Sequence, residues 1–130
     1  MAGIAALYAG ATRVVAHDID PVALAIAARN ARANAVELLL HGAPLLHAPC
    51  PACLSCILVG DLFYECSTAS ALWAWLRTAH RQGVRVLIAD ASRPCAPTDG
   101  VRCLWEERLA TAWAWKGTHI RTVRLLTLDV

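Results

Sequence analysis

The chain has 130 residues, and twelve basic against ten acidic side chains leave a net charge of +2. That length suits one compact domain and not two, and so slight a charge gives no default attraction to nucleic acid or to an anionic membrane. Apolar residues make up 58% of the chain, which excludes disorder, yet no run reaches the ~20 uninterrupted apolar residues of a membrane span. Much of the apolar excess is alanine, with 26 copies, and eleven arginines stand beside the single Lys116. This skew reads as a coding bias and carries no function. The opening MAGIAALYAGA is apolar without a basic leader, so the expected compartment is the cytoplasm. Cysteines 50, 53, 56, 66, 95 and 103 are accordingly expected as reduced thiols.

Short β-rich runs alternate with helical stretches, the pattern of a parallel sheet with crossover helices. Residues 2–10 read as a helix ending near Gly10, and 13–18 (RVVAHD) as a short strand. Asp20 followed by Pro21 is a strong helix start, opening an alanine-rich helix through 35. Residues 36–40 predict a second strand, and 41–55, broken by Gly42, Pro44, Pro49 and Pro51, an irregular segment. A third strand follows at 56–60 (CILVG). The spacing of Leu72, Trp75, Leu76 and Ala79 predicts a helix over about 67–82, capped by Ser67 or Thr68 and stopped at Gly83. A fourth strand spans 85–89, a proline-rich loop 91–100, and two strands at 105–114 and 119–128 form an antiparallel hairpin.

Three strands end in an acid, Asp18, Asp61 and Asp90, and ligands of such sheets sit beyond the carboxyl ends of the strands. Asp18 lies between a strand and a helix, where a carboxylate can accept hydrogen bonds from both ribose hydroxyls of a nucleotide cofactor. Its bland alternative, helix capping, is already served by Asp20.

The segment AHDIDPVALAIAARNARANAV at 16–36, then GDLFYE at 60–65 and LIADASR at 87–93, resemble in order and spacing the class I (seven-strand) S-adenosylmethionine-dependent methyltransferases. They are similar in particular to the electron-transfer-flavoprotein β-subunit lysine methyltransferases and their bacterial relatives, neighbours of the PrmA type. The resemblance implies an α/β, Rossmann-like methyltransferase sheet, mostly parallel with a C-terminal antiparallel hairpin, in one domain over 1–130. It implies Asp18 on the ribose of S-adenosylmethionine, Ile19 beside the adenine and Gly60 near the methionine part. Asp61 and Tyr64 match a D-x-x-Y pattern at the substrate channel, and the implied partner is a protein lysine. Chemistry agrees: an amine of pKa about 10.4 must lose a proton before attack, and a carboxylate can orient it while a tyrosine edge narrows the approach. Phe63 is expected in the core; Glu65 is either a substrate contact or a solvated acid.

Two departures accompany the match. GIAALYAGA at 3–11 corresponds to the helix just after the family's glycine-rich loop, so that loop and the first, central strand are expected to be missing, with weak cofactor binding as the consequence. Exposed sheet edges would then favour self-association. His41-Gly42-Ala43-Pro44 stands where relatives carry an acid near the adenine amine. An inactive methyltransferase-like remnant, serving as a binding or structural module, is the alternative reading.

A weaker alternative is a metal cluster on Cys50, Cys53 and Cys56 with Cys66 as fourth ligand, although incidental cysteines in a variable loop explain the run more simply. The histidines at 17, 41, 47, 80 and 119 show no metal spacing, so no metal is expected. No serine sits in a G-x-S-x-G elbow, and a dehydrogenase would need its own glycine fingerprint. Trp75, Trp113 and Trp115 read as core, Trp73 as a partner contact or packing residue, and Arg121, Arg124 and Lys116 as a basic patch or a solvated strand face.

Overall fold

The computed structural model describes residues 1–46, 48–113 and 117–129, with the side chains of 111–113 and 117–119 outside that description. The chain divides into two compact units, 1–48 and 49–130. The fold is mixed α/β, with parallel and antiparallel pairing.

In the first unit, α1 (Ala2–Tyr8), β1 (Val15–His17), α2 (Pro21–Ala33) and β2 (Leu39–His41) follow in order. The two strands pair in parallel, with Val15 opposite Leu39 and His17 opposite His41. Helix α2 starts as the sequence indicates, because Pro21 has no N–H to leave unsatisfied and Asp20 Oδ1 accepts the Val22 N–H at 2.8 Å. At its other end the Val36 N–H returns to Ala31 O and the Ala35 N–H to Arg32 O, a Schellman closure. Residues 34–36 are consumed by that closure, so β2 begins at Leu39 and not at the expected 36. Tyr8 ties the helices together by donating its hydroxyl to Asn34 O at 2.7 Å. Ile4 and Ala31 are the buried apolar side chains of this unit among the described residues.

The second unit contains β3 (Cys56–Gly60), α3 (Cys66–Arg81), β4 (Arg85–Asp90), β5 (Val101–Trp113) and β6 (Gly117–Leu128), its sheet ordered β3-β4-β6-β5. Strands β3 and β4 are parallel and the rest antiparallel. Every second residue of β4 (Val86, Ile88, Asp90) is buried, and the α3 stripe Ala69, Leu72, Leu76 and Ala79 is buried too; Val59, Phe63, Val84, Leu126 and Leu128 complete this core among the described residues. Trp75 is half-buried at the margin of that stripe.

Helix α3 is capped by the backbone at Glu65, not by Ser67 or Thr68 as expected, and Thr68 Oγ1 instead donates back to Glu65 O. It ends as α1 does, with glycine at a left-handed position: Gly10 has φ +99° and Gly83 φ +88°, and the following N–H closes onto the third residue from the helix end. Strand β5 starts at 101 and not 105, because Val101 pairs with Leu128 and a bulge between Cys103 and Trp105 absorbs the register change. Only 124–127 of β6 pair with β4; residues 117–123 run on beside β5 alone. The turn of this hairpin and the shared face of Trp113 and Trp115 lie outside the described residues. Strand β3 ends the sheet, and among the described residues its far edge has no strand neighbour. No helix of the described residues is long and apolar enough to cross a membrane.

Candidate functional site

In the first unit, Asp18 stands at the end of β1 with its peptide N–H on His41 O at 3.3 Å. Its Oδ1 accepts the Asp20 N–H at 2.9 Å, so this carboxylate fixes the turn into α2 while Asp20 caps the helix. The side chain remains half-exposed, and a carboxylate has about four acceptor positions, so capacity is left for an external donor. Ile19 is 72% exposed, an apolar surface beside that acid. His41, the first residue of the His41–Pro44 departure, closes β2 with its ring 5.5 Å from that of His17, and His17 Nε2 donates to Ala43 O.

In the second unit the D-x-x-Y segment begins where β3 ends. Gly60 is exposed, and a Cβ built on it would meet nothing within 4 Å. Asp61 follows in the left-handed region at φ +50°, its N–H donated to Ala89 O on β4. That reversal turns the chain out of the sheet. Phe63 dives into the core at 1% exposure, while Leu62 and Tyr64 stay exposed at 45% and 64%. Glu65 is then the N-cap residue of α3, exposed and with no capping hydrogen bond from its side chain.

Sequence reading did not supply the partner of Asp61. Arg93, from the loop after β4, grips the carboxylate with two hydrogen bonds, Nε to Oδ1 at 2.7 Å and Nη2 to Oδ2. This guanidinium, joined by the charge of Arg121 on β6, holds the Asp61 carboxyl below its ordinary value of 3.8. Adjacent parallel strands carry Asp61 and Arg93 at equivalent ends, and GDLFYE with LIADASR was the signal that could have paired them. Asp90, the third strand-end acid, is 1% exposed and its carboxylate is taken up by partners within the protein. Its Oδ2 accepts from Arg124 Nη2 at 2.6 Å and Nε at 3.2 Å, and its Oδ1 from the Arg93 N–H at 3.0 Å. Arg124 is therefore neither a free cation nor part of a basic patch.

The cysteines correct one expectation. Cys66, at the start of α3, is bonded to Cys95 in the loop after β4, with Cα atoms 5.3 Å apart. The six thiols are thus not all reduced, and Cys66 is not a fourth metal ligand. Cys50, Cys53, Cys56 and Cys103 are free. Burial pushes up the thiols of Cys50, with Cys53 adding to it, and of Cys56, and among the described residues no three His, Cys, Asp or Glu side chains converge as a metal site. Beside the disulfide, a cavity of about 260 Å³ is lined by Phe63, Ala69, Trp73 and Pro97 among others, which gives the half-buried Trp73 its place.

Residues 1–51 match the family of the Ribosomal protein L11 methyltransferase (PrmA). The electron transfer flavoprotein beta subunit lysine methyltransferase of Xenopus laevis is 40% identical over 93 residues, 71% of this chain and 38% of that protein. Its counterpart in Homo sapiens is 34% identical over 95 residues, 70% of this chain and 35% of that protein. The chain is kin to the methyltransferases. It spans little more than a third of the length of these relatives. Two solved structures carry the same fold. One is Sp1610 of Streptococcus pneumoniae, a candidate tRNA (m1A22) methyltransferase, with TM-score 0.63, 15% identity and coverage of 97% of this chain and 58% of that one. The other is the N-methyltransferase NodS of Bradyrhizobium japonicum, with TM-score 0.58, 10% identity and coverage of 91% and 74%.

Methyltransferase kinship implies chemistry that depends on S-adenosylmethionine. Each unit, taken by itself, presents features that suit that molecule. Asp18 is a carboxylate with acceptor capacity to spare, Ile19 an exposed apolar face, and Gly60 leaves open space against backbone.

Proposed function

We propose that the chain takes part in transferring a methyl group from S-adenosylmethionine to a lysine side chain of a protein. The observation that carries this reading is the D-x-x-Y segment itself. Asp61 is ionised, oriented and still 43% exposed in its side chain, and an exposed tyrosine follows three residues on. Within the first unit, Asp18 is assigned to the ribose of S-adenosylmethionine and Ile19 to its adenine. When bound, the cofactor supplies an electrophilic methyl group on a sulfonium.

The chain's own residues act on the nucleophile. At neutral pH a lysine is almost wholly ammonium, and Asp61 attracts and orients that cation. Tyr64 limits the directions from which the nitrogen approaches, which matters because a misplacement of about 1 Å can cost roughly 100-fold in rate.

The test is transfer of labelled methyl to the electron transfer flavoprotein beta subunit, the protein for which the relatives are named. Label on lysine is expected, with Asp61→Asn reducing the rate by roughly 100-fold and Tyr64→Phe by less. Label no greater than in a chain-free blank overturns the reading.

A further inference from the structure

Asp61 and Arg93 are 32 positions apart, yet they meet in the most exacting geometry available to two side chains, a fork of two parallel N–H···O bonds. Such a fork fixes direction as well as charge, which a lysine cannot do. Arg93 is itself moored. Its peptide N–H rests on Asp90 Oδ1, and Asp90 is buried and oriented by Arg124 of β6. Ser92, one residue earlier, sits at φ +59° and donates its hydroxyl to Thr122 O at 2.9 Å, so the chain leading to the arginine is tied to β6 at both Asp90 and Ser92. The guanidinium therefore starts from a fixed point.

We propose that Arg93, moored on the buried Asp90, is the positioning residue that makes Asp61 an oriented anion for the substrate ammonium and not an acceptor of its proton. The ammonium in that statement rests on the methyl-transfer reading above; the clamp on Asp61 does not. The clamp engages one acceptor position on each oxygen, and a carboxylate has about four. With 43% of the Asp61 side chain exposed, the remaining positions are open to a second cation. The groups acting on Asp61 are the cations Arg93 and Arg121, while Asp90 acts on Arg93 from the other side. Arg124 neutralises Asp90 in turn. A carboxylate held this way is a weak base, so the proton of the amine leaves to water.

Two measurements on the 130-residue chain test this. The first follows the Asp61 carboxyl carbon by NMR through an acid titration. The wild-type midpoint is expected below the ordinary 3.8, and Arg93→Gln is expected to raise it by on the order of one pH unit. Arg93→Lys restores the charge without the fork and should return part of the shift. Asp90→Asn keeps the guanidinium but weakens its mooring and should fall between wild type and Arg93→Gln. The second measures methyl transfer to a lysyl substrate. Arg93→Gln is expected to raise KM roughly tenfold with a smaller change in kcat, and Arg93→Lys to recover part of it. The wild-type rate should follow ionisation of the amine, with no limb from Asp61 between pH 4 and 7. A midpoint unchanged by Arg93→Gln in a chain that melts as wild type overturns the clamp. A wild-type midpoint at or above 3.8 overturns the claim that Asp61 refuses the proton. Absence of methyl transfer in every variant overturns the methyl-transfer reading and leaves the titration to decide the clamp.

Discussion

The two units carry the same device, a parallel strand ending in an aspartate, and fix it in opposite ways. Asp18 is held by a peptide N–H two residues away, in a unit whose strands are three residues long and whose β2 is exposed along its length. Asp61 is held by a guanidinium from another loop, above a core that runs from Val59 to Leu128. A locally fixed carboxylate can keep its geometry when surrounding packing is thin, because the turn that makes it also supplies its partner. A carboxylate fixed at long range has its geometry only while the core holds both loops. The described elements α1, β1, α2 and β2 therefore belong at the low-stability end of the chain, and α3, β3 and β4 at the high end.

The contrast breaks most visibly at Leu76, which is 0% exposed. Leu76→Ala is expected to cost about 2–5 kcal/mol, with amides of α3, β3 and β4 losing protection in hydrogen exchange and those of α2 changing little. Equal loss in both units would mean that they unfold as one, and the contrast would not be one of stability. Next is the Cys66–Cys95 bond, whose ends are 29 positions apart. Breaking it should remove about 3 kcal/mol in denaturant titrations with and without reductant. The Cys66→Ser, Cys95→Ser double variant should then be indifferent to reductant.

A smaller effect in the other direction sharpens the comparison from the first unit. Helices α1 and α3 end on glycine, but α2 places Ala35 at φ +52° in the same closure. A left-handed alanine is strained by about 1–2 kcal/mol, offset in part by the freedom that glycine adds to the unfolded chain. Ala35→Gly should gain up to about 1 kcal/mol in thermal or chemical melts. The smallest effect is the acid limb of Asp61. Its folded carboxyl titrates below the unfolded value of 3.8, so the pair stabilises the fold above pH 3.8 and that contribution disappears as pH falls through the folded value. Because the pair is half-exposed it is screened by solvent, and its contribution is small. Wild type and Arg93→Gln should differ by a constant amount above pH 4 and converge in stronger acid.

What could be read beforehand follows the range of each interaction. The start of α2 needs only Asp20 and Pro21, and the stop of α3 only Gly83, so both were legible. The cap of α3 was not, because Ser67 and Thr68 carry the right chemistry and lie just inside a helix that starts earlier, at Cys66. The length of β5 depended on Leu128, its partner 27 positions away, and the Cys66–Cys95 bond on α3 and the 91–100 loop meeting. For the site, Asp61 and Tyr64 stood out as a spaced motif and Phe63 as core, each a local property. Asp90 stood out only as a strand-end acid facing a ligand and Arg93 not at all, since a buried acid and the arginine beside it show their worth only once β3, β4 and β6 lie side by side.

The left-handed backbone at Asp61 decides which substitutions can be used as probes there. Asparagine and glycine accept that conformation readily, whereas a β-branched residue does not. Asp61→Asn removes the charge and leaves the turn intact, so its effect reports on chemistry. Asp61→Val would rebuild the exit from β3, drag Phe63 from its seat, and register as a folding defect wearing the appearance of a catalytic one.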